Sequence, residues 1–486
     1  MTREGVPVAP PGETSRPLEL TLAVDRDLPR TLPEQIEDQV REAVRRGELH
    51  PGARVPSTRD LARQLTVSRR VVVEAYTQLA AEGYLSMRQG SFPAIADGVA
   101  AVAAAGGPAP RLETAVAPRY DFRPSRPDVS VFPRGAWARA LRDAVGHIAD
   151  AELIYGDPCG VEPLRNQLAD YLGRVRGVVA PPAQVVVTSG YLQALGLVCR
   201  ALAERGVRRV ALEDPSAPEQ RPIVRRAGLE PVPVPVDENG LRVDALEGAD
   251  VGAVVCTPAH QHPMGGVLHA ERRTALVRWL RATGAFAIED DYDAEHRYDR
   301  TAVKALQGMA PDRVVYAGSA SKTLAPALRL GWLAVPAELL DAVAEEKLLA
   351  DQGTARIEQH AFARFVERGE LDRHLRRMRI RYRARRDATL AALAEVMPDA
   401  RVEGIEAGLH LTVRLPGRYD EAVLRAAAGR RRVLVSLLSD YRPGAFDADP
   451  VLLVGYAQVP EAGVRAGLRE LAGAVEEARL GARPRP

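Results

Sequence analysis

The stretch YAGSASKTLAPALRLG, residues 316–331, decides the reading of this chain. A β-rich apolar run, Arg313 to Ala317, empties into Ser319, Ser321 and Lys322, and Arg329 follows seven residues on. Such a strand end sets an amine beside hydroxyl groups at the carboxyl edge of a sheet, which is where open α/β folds bind ligands. Working outward, the pattern recurs in QVVVTSG (184–190), RRVALED (208–214), VGAVVCT (251–257) and AFAIEDD (285–291). These short, near-continuous apolar runs alternate with amphipathic helical segments. They predict an α/β fold, with a parallel or mixed sheet covered on both faces.

Length and charge narrow the classes. A chain of 486 residues predicts two to three domains, and 46% apolar with 27% charged residues is globular composition. The net charge of +2, from 66 basic and 64 acidic residues, excludes a global field toward nucleic acid, so any DNA contact must come from a local basic surface. The lysines are Lys304, Lys322 and Lys347, so a lysine-dependent reaction has few candidates. Three scattered cysteines argue against a disulfide framework. No secretory h-region and no apolar run of membrane length is visible, which predicts a soluble cytoplasmic protein.

The segments divide at residues 97–119, whose Ala, Gly and Pro content gives them little to pack with. They predict a linker. Before it lie a polar, Pro-rich tail (1–16) and a helical stretch (17–96). After it comes the β-rich stretch, 120–480. In the helical stretch Thr31-Leu-Pro-Glu34 and Ser57-Thr-Arg-Asp60 have the form of capping boxes. Ser68 stands where it can cap a third helix, Arg69 to Glu82. Two short helices around a tight turn form a helix-turn-helix, whose second helix offers its N-terminus to the major groove. Ser68, Arg69 and Arg70 stand at that end, and Arg59 at the start of the preceding helix. Hydroxyls, guanidinium groups and free helix N–H groups suit phosphates and base edges.

In the β-rich stretch the residue types match what pyridoxal phosphate asks of a protein: a lysine to carry it, a carboxylate for its ring nitrogen, phosphate donors and a ring cover. Lys322 is the amine and Asp290 the carboxylate. Ser319, Ser321, Arg329 and the turn at Thr188-Ser-Gly190 are the phosphate donors. Of two rival readings, the calcium loop fails and the metal site yields to a polar loop. DDYDAE has His296 and Ala302 where a calcium loop needs Gly and Glu, and His260, His262 and His269 lack a further metal ligand.

Two resemblances sharpen these expectations. GELHPGARVPSTRDLA (47–62), VSRRVVVEAY (67–76) and AEGYL (81–85) closely resemble the GntR-type winged helix-turn-helix, an α+β domain. This implies DNA contacts from Arg59, Ser68, Arg69 and Arg70, and a wing at Arg88-Gln89-Gly90-Ser91 near the minor groove. Phe92-Pro93 departs from the family's Gly and small polar residue. The 316–331 stretch, with EDDYDAEHRY (289–298), TPAHQHPMG (257–265), YGDPCG (155–160) and DFRPSRP (121–127), resembles the fold type I aminotransferase-like domain of MocR/GabR regulators. This implies that Lys322 carries the cofactor covalently, that Asp290 holds the ring nitrogen and that Tyr292 holds the phenolic oxygen. Ser319, Ser321, Arg329 and the backbone at Gly190 would take the phosphate. Tyr155 would reach the cofactor of a second subunit, so a homodimer is expected. His262 stands where aminotransferases carry a cofactor-contacting Asn. Ala217 replaces the usual ring-stacking aromatic, for which Tyr191 is a candidate substitute. No arginine for a substrate carboxylate occurs in VGYAQV (454–459), leaving Arg221, His410 and Arg442 as anchors to be tested. The expectation is a DNA-binding transcriptional regulator sensing a small amine, an amino acid or pyridoxal phosphate itself. The rival is a working aminotransferase with an appended DNA-binding domain.

Overall fold

The computed structural model describes residues 21–88, 91–99, 117–293, 295–298, 303–442 and 450–479. The 1–16 tail, Gln89 and Gly90 of the wing, and linker residues 100–116 lie outside them. The chain divides into two units, Met1–Ala115 and Val116–Pro486.

The described residues of the first unit form three helices and a hairpin: α1 (Leu32–Arg45), α2 (Thr58–Gln64), α3 (Arg69–Ala81), β1 (Leu85–Ser86) and β2 (Ala94–Ile95), the strands pairing antiparallel. Glu34 reaches back to the Thr31 N–H at 2.9 Å, and Ser57 Oγ accepts from the Asp60 N–H, so both caps form. Ser68 occupies the third N-cap with extended backbone but makes no side-chain cap bond, and α3 stops one residue before Glu82. Ile36, Val40, Leu61, Val72, Tyr76 and Leu79 close a small core, in which the Tyr76 hydroxyl donates to the Pro56 carbonyl at 3.0 Å. The Pro93 carbonyl accepts from the Val55 N–H at 2.9 Å, so the unusual Phe92-Pro93 pair still closes the hairpin onto the helices.

In the second unit β3 (Tyr120–Asp121) leads into α4 (Arg134–His147) and α5 (Glu162–Arg176). The main sheet follows: β4 (Val185–Thr188), β5 (Arg209–Asp214), β6 (Glu230–Asp237), β7 (Gly240–Leu241), β8 (Ala253–Cys256), β9 (Phe286–Asp290), β10 (Val314–Ser319) and β11 (Gly331–Ala334). Their spatial order is β4-β11-β10-β9-β8-β5-β6-β7. β10, β9, β8, β5 and β6 run parallel, while β11 lies antiparallel to both β10 and β4. β4, β8 and β9 are buried along their whole length, as a sheet covered on both faces requires. The helices α6 (Tyr191–Glu204), α7 (Gln220–Arg226), α8 (Ala270–Thr283) and α9 (Ala320–Thr323) lie between these strands, and α10 (Ala337–Asp351) follows β11. The long α12 (Glu370–Val396), reached through α11 (Arg356–Glu367), leads to a four-stranded antiparallel sheet. That sheet contains β12 (Arg401–Glu403), β13 (His410–Arg414), β15 (Ser436–Leu437) and β16 (Val451–Gly455), the last three of which share one hydrophobic core with α13 (Glu421–Arg430) and α14 (Glu461–Ala478). β14 (Val433–Leu434) pairs parallel with β3, tying the start of this unit to its end.

Candidate functional site

Strand direction assembles the site. The carboxyl ends of β4, β10, β9, β8 and β5 share one edge, and antiparallel β11 begins there. The register sets Gly331 beside both Thr188 and Ser319. A cavity of about 640 Å³ opens at this edge, within the ~300–1,000 Å³ usual for small-molecule sites. Lys322, Asp290, Tyr292, Ser319, Ser321, Arg329, Tyr191 and His262 all line it.

At one end is an anion cradle. Ser319 caps α9, its Oγ accepting from the Ser321 N–H at 3.1 Å and donating to Ser321 Oγ at 2.9 Å. Gly190 is the N-cap of α6 at φ +113°, and a Cβ there would sit 3.3 Å from Arg329 Nη2. The guanidinium therefore lies against the helix start, where free N–H groups favour an anion.

At the centre, Asp290 is buried at the end of β9. Burial, reinforced by the Asp291 charge, pushes its carboxyl well above the usual range, while the Lys322 amine pulls it down. Tyr191 interacts with this carboxylate, and its hydroxyl accepts from Gln220 Nε2 at 2.9 Å. Burial lowers the Lys322 pKa against the pull of Asp290 and Asp293. Among the described residues, no hydrogen bond or ion pair engages Lys322 Nζ. Tyr292 Oη lies 2.9 Å from His260 Nδ1, which also meets Asp293 Oδ2 at 2.9 Å. His262 packs edge-on to Tyr292 and Tyr441 at 5.2 Å each, and burial holds it neutral.

Behind Asp290 lies a buried ionic layer that sequence patterns did not reveal. Asp291 takes Arg176 Nε at 2.7 Å and the Tyr316 hydroxyl at 2.7 Å. Burial, with the Asp291 charge beside them, pushes the Glu289 and Glu295 carboxyls up.

Ala217 lines the cavity without a ring. Arg221 and Arg442 are not among the lining residues. Both pair with Asp214, at 2.9 and 3.1 Å, and His410 Nε2 engages the Pro263 carbonyl at 3.0 Å. None of these three is a free carboxylate anchor. Tyr155 is 85% exposed and outside the cavity, next to Ile154 at 66%. The segment Arg123–Pro127, Glu213, Glu219 and Tyr441 also line the cavity. The only signal for the first of these was the motif DFRPSRP, which assigned it no role.

In the first unit Arg59, Ser68, Arg69 and Arg70 are all exposed at the start of α2 or α3. Arg69 Nε lies 3.4 Å from Thr58 Oγ1, so the two helix starts share one polar face. No helix among the described residues is long and apolar enough to cross a membrane.

Comparison with known proteins matches residues 130–441 to aminotransferase class I and II and residues 32–91 to bacterial regulatory proteins of the gntR family. The chain is 34% identical to the HTH-type pyridoxine biosynthesis transcriptional regulator PdxR of Corynebacterium glutamicum, over 94% of this chain and 99% of the relative. It is 31% identical to the probable rhizopine catabolism regulatory protein MocR of Rhizobium meliloti, over 93% and 95%. Kynurenine aminotransferase of Pyrococcus horikoshii superposes with a TM-score of 0.67 at 26% identity, covering 74% of this chain and 90% of that one. The class I and II aminotransferase fold is one whose members use pyridoxal phosphate. With a gntR-type domain ahead of an aminotransferase domain and relatives of both names along most of its length, the chain belongs to the MocR/PdxR-type family of HTH transcriptional regulators.

Proposed function

We propose that this protein binds operator DNA through the winged helix (17–96) and carries pyridoxal phosphate on Lys322 in the large domain (120–480), sensing a small amine, an amino acid or the cofactor itself. The reading is carried by the convergence of Lys322, Asp290, Tyr292, Ser319, Ser321 and Arg329 on one cavity in a chain that also carries a gntR-type domain. Two further features fit the cofactor. The Gly190 cradle has room that a Cβ would narrow, and His262 Nδ1 and Ser216 Oγ are buried at the cavity wall without partners.

When bound, pyridoxal phosphate supplies an aldehyde that accepts primary amines. The side chains do the rest. Burial lowers the Lys322 pKa, raising the share of free amine at Nζ. The Asp290 carboxylate would hold a proton on the ring nitrogen, and the Tyr292 hydroxyl would hold the ring oxygen. Ser319, Ser321, Arg329 and the α6 N-terminus would neutralise the phosphate. When not holding the cofactor, Lys322 Nζ would be held by the charges of Asp290 and Asp293. That differential contact biases the large domain between two states, and coupling to DNA affinity is reciprocal. Exposed Ile154 and Tyr155 support a homodimer in which Tyr155 completes the partner's site. DNA as partner implies a cytoplasmic setting.

The test is twofold. Borohydride reduction should fix the cofactor to Lys322, read by mass, and Lys322→Ala should abolish the label. Gel shifts should change with amines in the unmodified protein only. Absence of label at excess cofactor refutes the sensor, and repeated conversion of amino acid plus 2-oxo acid would favour the enzyme.

A further inference from the structure

The aminotransferase carboxylate arginine is missing from residues 454–459, and Arg221 and Arg442 are spent on Asp214. The cavity nevertheless has a cationic wall. Among the described residues three arginines line it: Arg123, Arg126 and Arg329. Arg329 lies at the Gly190 cradle, and Arg123 grips Asp121 through Nε at 2.8 Å and Nη2 at 2.6 Å. Arg126 is left. Its nearest carboxylate oxygen, on Asp121, is 3.6 Å away, and its side chain is 46% exposed.

Arg126 sits on a stiff strap. Pro124 and Pro127 restrict the backbone on either side of Ser125-Arg126. At one end the Gly455 N–H donates to the Phe122 carbonyl at 2.6 Å, and a Cβ on Gly455 would strike the Arg123 carbonyl at 2.2 Å. At the other end the Asp128 N–H donates to Tyr382 Oη at 2.9 Å, and its carboxylate takes Arg385 Nη2 at 2.7 Å. Between these anchors Ser125 is held at φ +58°, in the left-handed region. Its Oγ is buried without a hydrogen-bond partner. Strain and an unsatisfied hydroxyl on a cavity wall mark a binding surface.

We propose that the Arg123–Pro127 strap is the carboxylate-binding wall of this site. The Arg126 guanidinium, with the Ser125 hydroxyl beside it, holds the carboxylate of an amino-acid ligand whose amine faces Lys322. The anchor has moved from the C-terminal strand to the opposite end of the large domain's sequence. A planar guanidinium on a rigid mount offers paired N–H groups to a carboxylate at little ordering cost. Amino acids are therefore the ligand class, ahead of amines that lack a carboxylate.

The assignment rests on Lys322 being the cofactor lysine, and the experiment separates the two. Full-length protein loaded with pyridoxal phosphate is titrated with the twenty standard L-amino acids, β-alanine, 4-aminobutyrate and alkylamines of matched length, following the cofactor absorbance. At least one amino acid should bind tenfold or more tightly than its matched amine. Arg126→Gln should erase that preference, Arg126→Lys should keep part of it, and Ser125→Ala should weaken the same amino acids several-fold. A loaded protein in which Arg126→Gln keeps the preference, or in which no amino acid outbinds its amine, overturns the strap assignment alone. An unmodified protein that takes up no cofactor overturns the reading beneath it, and the assignment falls too.

Discussion

Replacing Glu213 by Gln tests the electrostatics of the cavity wall. Glu213 lies in β5 near its end and is buried. Its Oε2 accepts from Thr257 Oγ1 at 2.6 Å, from Gln261 Nε2 at 3.1 Å and from the Thr257 N–H at 3.3 Å. No cation pairs with it among the described residues, and burial raises its pKa from 4.5 to about 7. A native pKa raised above the unfolded one contributes stability that is full below pH 4.5 and lost as pH rises through about 7. At 1.36 kcal/mol per unit, the loss approaches ~3 kcal/mol. Glutamine does not titrate, and its carbonyl oxygen at the Oε2 position keeps all three donors. Glu213→Gln should therefore gain about 2–3 kcal/mol on the parent between pH 5 and pH 8.5. The assay is urea unfolding of cofactor-free protein at both pH values, following the transition of the large domain, with m unchanged. An offset between variant and parent that is constant with pH would refute the reasoning, because it would mean that Glu213 is already ionised in the native state.

Other expectations are simpler. Arg176→Ala strands the buried Asp291 charge and should cost about 3–5 kcal/mol by the same unfolding assay. Arg59→Ala and Arg69→Ala should each weaken operator binding, by about 1–3 kcal/mol where a base contact is lost, with a shallower salt dependence in gel shifts where a phosphate contact is lost. Tyr76→Phe removes the buried bond to the Pro56 carbonyl and should cost the winged helix about 0.5–1.5 kcal/mol, read as a lower thermal midpoint. Ile154→Asp puts a charge on the exposed Leu153–Tyr155 patch and should shift light-scattering mass from dimer to monomer while weakening cofactor binding.

By itself the sequence determined what short-range physics encodes. Apolar runs of strand length, each closed by a polar or glycine residue, placed Lys322, Asp290 and Gly190 at strand ends, because burial on both faces demands continuous apolar side chains. Thr31 and Ser57 announced their helices, since a cap bond spans only three residues. Ser68 shows the limit even there: the same residue type at the same position makes no cap bond. The tertiary structure decided everything that joins distant segments. Local patterning cannot say that β11 inserts antiparallel between β4 and β10, which is what sets Ser319, Gly331 and Thr188 side by side. Nor can it say that Arg221 and Arg442 converge on Asp214, or that Tyr441 returns to face His262. The Arg123–Pro127 strap lies on the cavity because Phe122 and Asp128 are fastened to Gly455 and Arg385, hundreds of residues away. A charge reads the same in sequence whether it is paired or free, and only the packing leaves Arg126 on the cavity wall with a 3.6 Å pairing to an Asp121 that Arg123 already engages.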